Sequence, residues 1–245
     1  MEIILNGALG HMGREVKKLA DASEKCTIAA CVDIAGDGTE VLCGIDEYRG
    51  SADVIVDFSN HAGTKTLLDY AVKMRTPVII ATTGHTEEEL EAIKEAAQTV
   101  AVFHSANMSL GVALLAELAV KTAEVMPDAD IEIIETHHNR KLDAPSGTAL
   151  MLANAIRKVR ETAELKLGRA GSAKREKNEI GIHAVRRGNI VGIHEVIVTT
   201  DSQTITLKHE AHTRALFAEG ALSAAEFIAG KPAGLYDMYS IVRGG

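Results

Sequence analysis

The residues most able to do chemistry crowd into one stretch, Glu135-Thr-His-His-Asn-Arg-Lys-Leu-Asp-Ala-Pro-Ser-Gly-Thr-Ala149. An imidazole titrates near pH ~6.5, which suits it to proton transfer at neutral pH. Lys141 can serve as a cationic clamp or a proton donor. His137 and His138 are neighbours, and on a strand they point to opposite faces, so they are poor co-ligands for one metal ion. No cysteine or acidic pair nearby completes a metal site. Pro145-Ser-Gly-Thr148 reads as a helix start. On local sequence the simpler reading is that Ser146 caps its own helix; the amides of Gly147 and Thr148 could also hold a carboxylate. Together these residues point to proton transfer onto a small bound anion.

The flanking pattern supplies the elements that would position them. Ile131-Glu-Ile-Ile134 leads in as a buried strand, and a stripe of Ala149, Leu150, Leu152, Ala153, Ile156 and Val159 marks a helix over 146–160. At the start of the chain, a strand over 2–6 runs into Gly7-Ala-Leu-Gly-His-Met-Gly13 and then a helix to Ala22. This is a variant of the dinucleotide fingerprint: Gly7 for the tight turn, Gly10 for close approach to a pyrophosphate, Gly13 for helix–strand packing. Asp33 ends the next strand about twenty residues past Gly13, where an acid accepts hydrogen bonds from an adenosine ribose. Strands over 53–57, 77–81 and 100–103 then alternate with helices over 62–74 and 87–97, the pattern of a parallel sheet covered on both faces. The carboxyl ends of such strands would bring the glycine turn, Asp33, Phe58-Ser59, Thr82-Thr83 and Ser105–Met108 to one rim.

After Asn107 the pattern changes. A helix over 110–125 precedes the strand 131–136. The polar, basic segment 161–179 is expected to be a mobile loop. Three strands follow, over 180–187, 193–200 and 204–210, with Gly188-Asn189 and Asp201-Ser202 as hairpin turns. A helix over 214–229 and a closing segment 235–241 complete the chain. The expected class is α/β: a Rossmann-type parallel-sheet domain with a second α+β domain on a mixed, mainly antiparallel sheet.

Composition narrows the partners. The net charge of -8 and an aromatic content of 3% without tryptophan argue against nucleic acid and anionic membranes. No apolar run approaches the ~20 residues of a membrane span, and the N-terminus lacks signal-peptide features, so a cytoplasmic location is expected. Cys26, Cys31 and Cys43 show no metal or redox spacing and read as buried thiols in a reducing compartment. Against the acidic whole, His138, Arg140, Lys141, the segment Arg169 to Lys177 and Arg186-Arg187 form a basic island, which a small polyanionic substrate would explain.

The motif Glu135-x-His-His-x-x-Lys-x-Asp-x-Pro-Ser-Gly-Thr-Ala149 resembles the signature of the dihydrodipicolinate reductase family. The resemblance extends to Gly7–Gly13, Thr82-Thr-Gly84, Ala106-Asn-Met-Ser-Leu-Gly111, Arg187-Gly-x-Ile-Val-Gly192 with His194, and Gly-Leu-Tyr-Asp-Met238. It implies reduction of a cyclic imine dicarboxylate by NADH or NADPH in lysine and diaminopimelate biosynthesis. It implies His137 as the general acid, Lys141 as an assisting cation, and His138, Lys141, Gly147 and Thr148 as ligands of the substrate carboxylates. It implies that Gly7, Ala8, Leu9, Gly10, His11, Met12, Asp33, Ala81, Thr82, Thr83, Ser105, Ala106, Asn107 and Met108 line the nicotinamide cofactor. It also implies a dinucleotide domain of residues 1–107 plus 215–245, a substrate and oligomerisation domain of residues 108–214, and a homotetramer. Two departures bear on the cofactor: His11 stands where many members carry Arg or Lys, and Asp33 is followed by Ile34-Ala35 without a basic residue. NADH is therefore the expected preference over NADPH. A different two-domain dehydrogenase and a nucleotide-sensing regulator are the competing readings; the former would need another substrate signature, and intact His137 and Lys141 argue against the latter.

Overall fold

The computed structural model describes residues 1–244, which form two compact units. The first comprises Met1–Leu110 and the segment from Ala215; the second is Gly111–Arg214. The elements in chain order are β1 (Glu2–Asn6), α1 (His11–Asp21), β2 (Thr27–Val32), β3 (Val54–Asp57), α2 (Thr64–Met74), β4 (Val78–Ile80), α3 (Glu87–Ala96) and β5 (Ala101–His104). There follow α4 (Leu110–Val125), β6 (Asp130–His137), α5 (Gly147–Arg157), β7 (Glu164–Leu167), β8 (Glu179–Arg186), β9 (Gly192–Thr200) and β10 (Gln203–Ala211). The chain closes with α6 (Ala215–Ile228), β11 (Gly234–Tyr236) and α7 (Met238–Val242).

The first unit is built on a six-stranded sheet of order β11-β5-β4-β3-β1-β2. Its pairings are parallel throughout. Ile3, Ile4, Leu5, Val54, Ile55, Val56, Val78, Ile79 and Ile80 are buried along whole strands, as a sheet covered on both faces demands. α6 packs against α1 and against β3, β4 and β5. The short strand β11, in a segment to which no regular element was assigned from sequence, pairs with β5. The strand order reverses between β1 and β3, because β2 lies on one side of β1 and β3 on the other. That reversal opens a crevice at the strands' carboxyl ends.

The second unit carries a five-stranded mixed sheet of order β10-β9-β6-β8-β7. β10–β9 and β9–β6 are antiparallel, while β6–β8 and β8–β7 are parallel. Asp201-Ser202 turns the β9–β10 hairpin as expected. Gly188-Asn189 does not make a hairpin: β6 lies between β8 and β9, so the connection crosses over it. Turn residues mark a reversal of the chain, but they do not say which strand will occupy the gap. The segment 161–179 is also not the expected loop throughout, since β7 adds to the sheet edge there. Among the described residues, no helix is long and apolar enough to cross a membrane.

The three thiols also differ from expectation: Cys26 is buried, Cys31 half-buried and Cys43 exposed. Cys43 lies in the connection between β2 and β3, two residues before a 3-10 turn over Ile45–Glu47.

Candidate functional site

In the first unit, the glycine turn is shaped by two close approaches. Gly7 has φ of +78°, and a Cβ there would lie 2.7 Å from the backbone of Phe58 and Ser59. A Cβ on Gly13 would collide with the carbonyl of Gly7 and lie 2.8 Å from Ala8 Cα. A side chain at Gly7 would push the turn off the segment after β3, and one at Gly13 would push α1 off the turn. The turn is pinned to β2 by Gly7 N–H and Ala8 N–H donating to Val32 O at 2.9 and 3.1 Å. α1 begins at Gly10 with no side-chain cap and no acidic residue in its first turn. A helix start left this way suits an anion.

A cleft of about 660 Å³ opens at the reversal of the strand order, with Gly7, Gly10, Asp33, Ile34, Phe58 and Ser59 in its wall. Asp33 accepts hydrogen bonds from Leu9 N–H at 3.0 Å and Ala35 N–H at 3.0 Å, one on each oxygen. Among the described residues lining the cleft there is no Lys, Arg or His. Ala81, Thr82 and Thr83 line a smaller cavity of about 290 Å³ that shares Phe58, Ser59 and Asn60 with the cleft wall. Ala8, Leu9, His11 and Met12 stand in the turn or at the start of α1 without lining either cavity. Ser105 to Met108 follow β5, also outside both, where Ser105 Oγ–H donates to Asn107 O at 2.8 Å.

Beneath the rim lies Asp57, a residue sequence reasoning left without a role. It is buried, and accepts from Ser59 Oγ at 2.6 Å, Asn6 Nδ2 at 2.8 Å and Ser59 N at 3.1 Å. Burial raises its pKa above the ordinary aspartate value, against hydrogen bonds from Ser59, Asn6 and Thr82.

The second unit holds the histidine stretch. β6 alternates, so Glu135 and His137 share one face, with His194 of β9 opposite Glu135 and Arg186 of β8 opposite His137. Glu135 is fully buried. His137 Nδ1 lies 2.6 Å from Glu135 Oε2. Arg186 grips the same carboxylate with both terminal nitrogens at 2.7 Å, and Ser146 N–H donates to it at 3.0 Å. Ser146 Oγ accepts from Ala149 N–H at 3.2 Å, capping α5, and shares a hydrogen bond of 3.1 Å with His194 Nε2. The His137 and His194 rings meet edge to face at 5.2 Å. Burial, with His137 next, holds the His194 pKa down to about 4, so this ring is neutral at pH 7.

His138 points the other way and is half-buried. Burial, then Arg140, Arg214, His137 and Lys141, hold its pKa below the ordinary histidine value. Lys141 Nζ pairs with Asp143 Oδ1 at 2.8 Å. Gly147 opens α5, and a Cβ there would meet nothing within 4 Å, so the helix start is uncovered at that point. Thr148 is the next residue of the same first turn.

The basic island does not survive as a single feature. Arg175 pairs with Asp130 and Glu132, Arg169 with Glu132 and Glu179, and Lys177 with Asp128. Arg186 is committed to Glu135. These cations answer acidic residues on or beside the sheet, so local charge density overstated what a ligand could meet. Glu135 and His194 were part of quoted motifs and Arg186 of the basic island, but only the strand register reveals their joint contact with His137 and Ser146. The spacing of Glu135 two residues before His137 on a strand was the one signal available beforehand.

The family model described as dihydrodipicolinate reductase, N-terminus, matches residues 1–108, and that described as dihydrodipicolinate reductase, C-terminus, matches residues 111–242. A 4-hydroxy-tetrahydrodipicolinate reductase of Caldanaerobacter subterraneus subsp. tengcongensis is 45% identical, with 100% of this chain and 99% of that one covered. One of Clostridium novyi is 44% identical, covering 99% and 98%. Among solved structures, a dipicolinate-bound dihydrodipicolinate reductase from Paenisporosarcina sp. TG-14 superposes with a TM-score of 0.78 at 22% identity, covering 97% of each chain.

Proposed function

This chain belongs to the dihydrodipicolinate reductase family, and from that premise we propose that it reduces 4-hydroxy-tetrahydrodipicolinate to tetrahydrodipicolinate, with His137 supplying the proton. A nicotinamide cofactor, when bound, supplies the hydride. The first unit fits such a group: an uncapped helix start for the pyrophosphate, Gly7 and Gly13 keeping the turn tight, and Asp33 at the end of β2 for the ribose. Ala81 to Thr83 and Ser105 to Met108 complete the expected cofactor rim.

In the second unit, the first turn of α5 at Gly147 and Thr148 receives one carboxylate of the substrate. Lys141, 22% exposed, binds another by exchanging Asp143, whose side chain is 57% exposed; a pair with one partner this open to solvent is worth about 1 kcal/mol and is readily replaced. His138, held neutral, contributes a hydrogen bond rather than a charge. The observation that carries the reading is the committed geometry of His137, one ring nitrogen bound to a buried carboxylate beside a helix start open to an anion.

The cofactor we expect to be preferred is NADH. A 2′-phosphate beside Asp33 would meet like charge, and no cation in the cleft wall compensates for it. The expected assembly is a homotetramer; β10 supports association, being a nine-residue strand at the sheet edge.

The test presents the condensation product of pyruvate and aspartate semialdehyde and follows nicotinamide absorbance with each cofactor. Turnover is expected, with the higher kcat/KM for NADH; no oxidation of either cofactor rejects the reading. His137→Ala should lower kcat far more than it raises the substrate KM.

A further inference from the structure

We infer that Glu135 is a positioning residue for His137: it fixes the imidazole with its proton on Nδ1 and places a buried counter-charge beside it, so that Nε2 is the atom that delivers the substrate proton. This builds on the function proposed above, and it stands on a hydrogen-bond inventory. A carboxylate offers about four acceptor sites, and on Glu135 each oxygen has two donors. Oε2 faces Arg186 Nη1 at 2.7 Å and His137 Nδ1 at 2.6 Å; Oε1 faces Arg186 Nη2 at 2.7 Å and Ser146 N at 3.0 Å.

The protonation state follows. Burial works to raise the Glu135 pKa, but Arg186, His137 and the Ser146 amide outweigh it and hold the pKa below the ordinary glutamate value. The carboxylate is therefore ionised at neutral pH and can only accept. Arginine can only donate, and so can a backbone amide. The remaining contact, the shortest of the four, must then be a donation from His137 Nδ1–H. Nε2 is left to face the substrate.

An ion pair made only to hold β6 against β8 would be complete with Arg186 alone. Here Arg186 and Ser146 supply three of the four donors, and the remaining site, on Oε2, is taken by the imidazole. Arg186 is itself anchored by donating to Asp143 O at 2.7 Å and Val185 O at 2.8 Å. When the substrate is reduced, the His137 Nε2–H bond breaks and its proton goes to the substrate atom on which the displaced electron pair collects. The ring is left neutral with Nδ1–H still on Glu135, and Nε2 is reprotonated from solvent. With Nδ1–H held by Glu135, Nε2 is the basic atom of the neutral ring and takes up the next proton; the opposite tautomer would turn its lone pair against the carboxylate.

The deciding experiment combines nitrogen-15 NMR of the histidine rings with steady-state kinetics on Glu135→Gln. The wild-type protein should show Nδ1 of His137 protonated at every pH from 6 to 9, whereas Glu135→Gln should show a mixture of tautomers above pH 7. kcat should fall on the order of 10²- to 10⁴-fold with the substrate KM little changed, and the alkaline limb of kcat should move to lower pH. If Glu135→Gln fails to fold because Arg186 is left unpaired, Glu135→Gln with Arg186→Met removes both buried charges and serves the same readouts. An unchanged Nδ1–H tautomer in the variant, or a loss confined to KM, overturns the inference. Wild-type protein without turnover rejects the proposed function instead, and the ring nitrogen shifts still decide the role of Glu135.

Discussion

His194 ties the stability of the second unit to pH in a calculable way. Its ring is 4% exposed, it bonds Ser146 Oγ, and its pKa is held down to about 4, chiefly by burial. In the unfolded chain the ring titrates near ~6.5. Between these values the unfolded state binds a proton that the folded state does not, so stability falls as pH falls. The contribution is complete above pH ~6.5 and exhausted below about pH 4. A difference of about 2.5 pKa units, at roughly 1.4 kcal/mol each, amounts to about 3 kcal/mol in the limit. Other acid-sensitive groups overlap this window, so His194→Gln is the control. Glutamine can keep the bond to Ser146 but does not titrate. At pH 7.5 the substitution should cost about 1–2 kcal/mol from imperfect packing and hydrogen bonding; at pH 4.5 the balance should move by roughly 2.5 kcal/mol in the variant's favour and change sign, because only the wild type then suffers the protonation cost. The assay must see the second unit. All four tyrosines and all four phenylalanines lie outside Gly111–Arg214, so aromatic probes report the first unit alone. Amide hydrogen exchange of β6 and β9, corrected for intrinsic rates, reads the right place. An equal deficit at both pH values would refute the reasoning, as would a His194 ring that titrates near 6.5 in the folded protein.

Three further outcomes are expected. Gly192→Ala would place a Cβ 3.1 Å from His137 Nε2, on a ring that cannot swing away without breaking its 2.6 Å contact to Glu135; kcat should fall about tenfold with little loss of Tm, and unchanged kcat would show that the ring has slack. Gly13→Ala should lower stability by about 1–3 kcal/mol in urea unfolding and weaken cofactor binding, because α1 must leave the Gly7 carbonyl. Ile34→Arg, at a side chain 97% exposed at the cleft mouth, should raise kcat/KM for NADPH relative to NADH by about tenfold through a charge-assisted bond to the 2′-phosphate; an unaltered ratio would place the phosphate elsewhere.

The elements of the first unit were legible along the chain because each carries its own periodic signal. Val54, Ile55 and Val56 are buried in a row because a parallel sheet is covered on both faces. The glycine turn announces itself because the tight fit of Gly7 against Phe58-Ser59 excludes a side chain. The Glu135–Ala149 motif was recognisable for the same reason: proton transfer and anion binding need particular residue types at fixed spacing. β11 was not read, since three residues at a sheet edge carry too little periodicity to stand out. The expected hairpin at Gly188-Asn189 failed because a turn residue constrains two dihedral angles and not the identity of the neighbouring strand. The basic island dissolved because charges distant in sequence, such as Arg175 and Asp130, meet only after folding.

The sequence by itself determined which side chains are available and which elements carry them, because those properties are local. Only the tertiary structure decided that Glu135, Arg186, Ser146 and His194 converge around His137, because that convergence depends on three strands in one register and on a helix start brought against their ends. Register is a long-range choice, set by how whole strands bury their apolar faces, and a shift of one residue would turn Glu135 and His137 to the other side of the sheet.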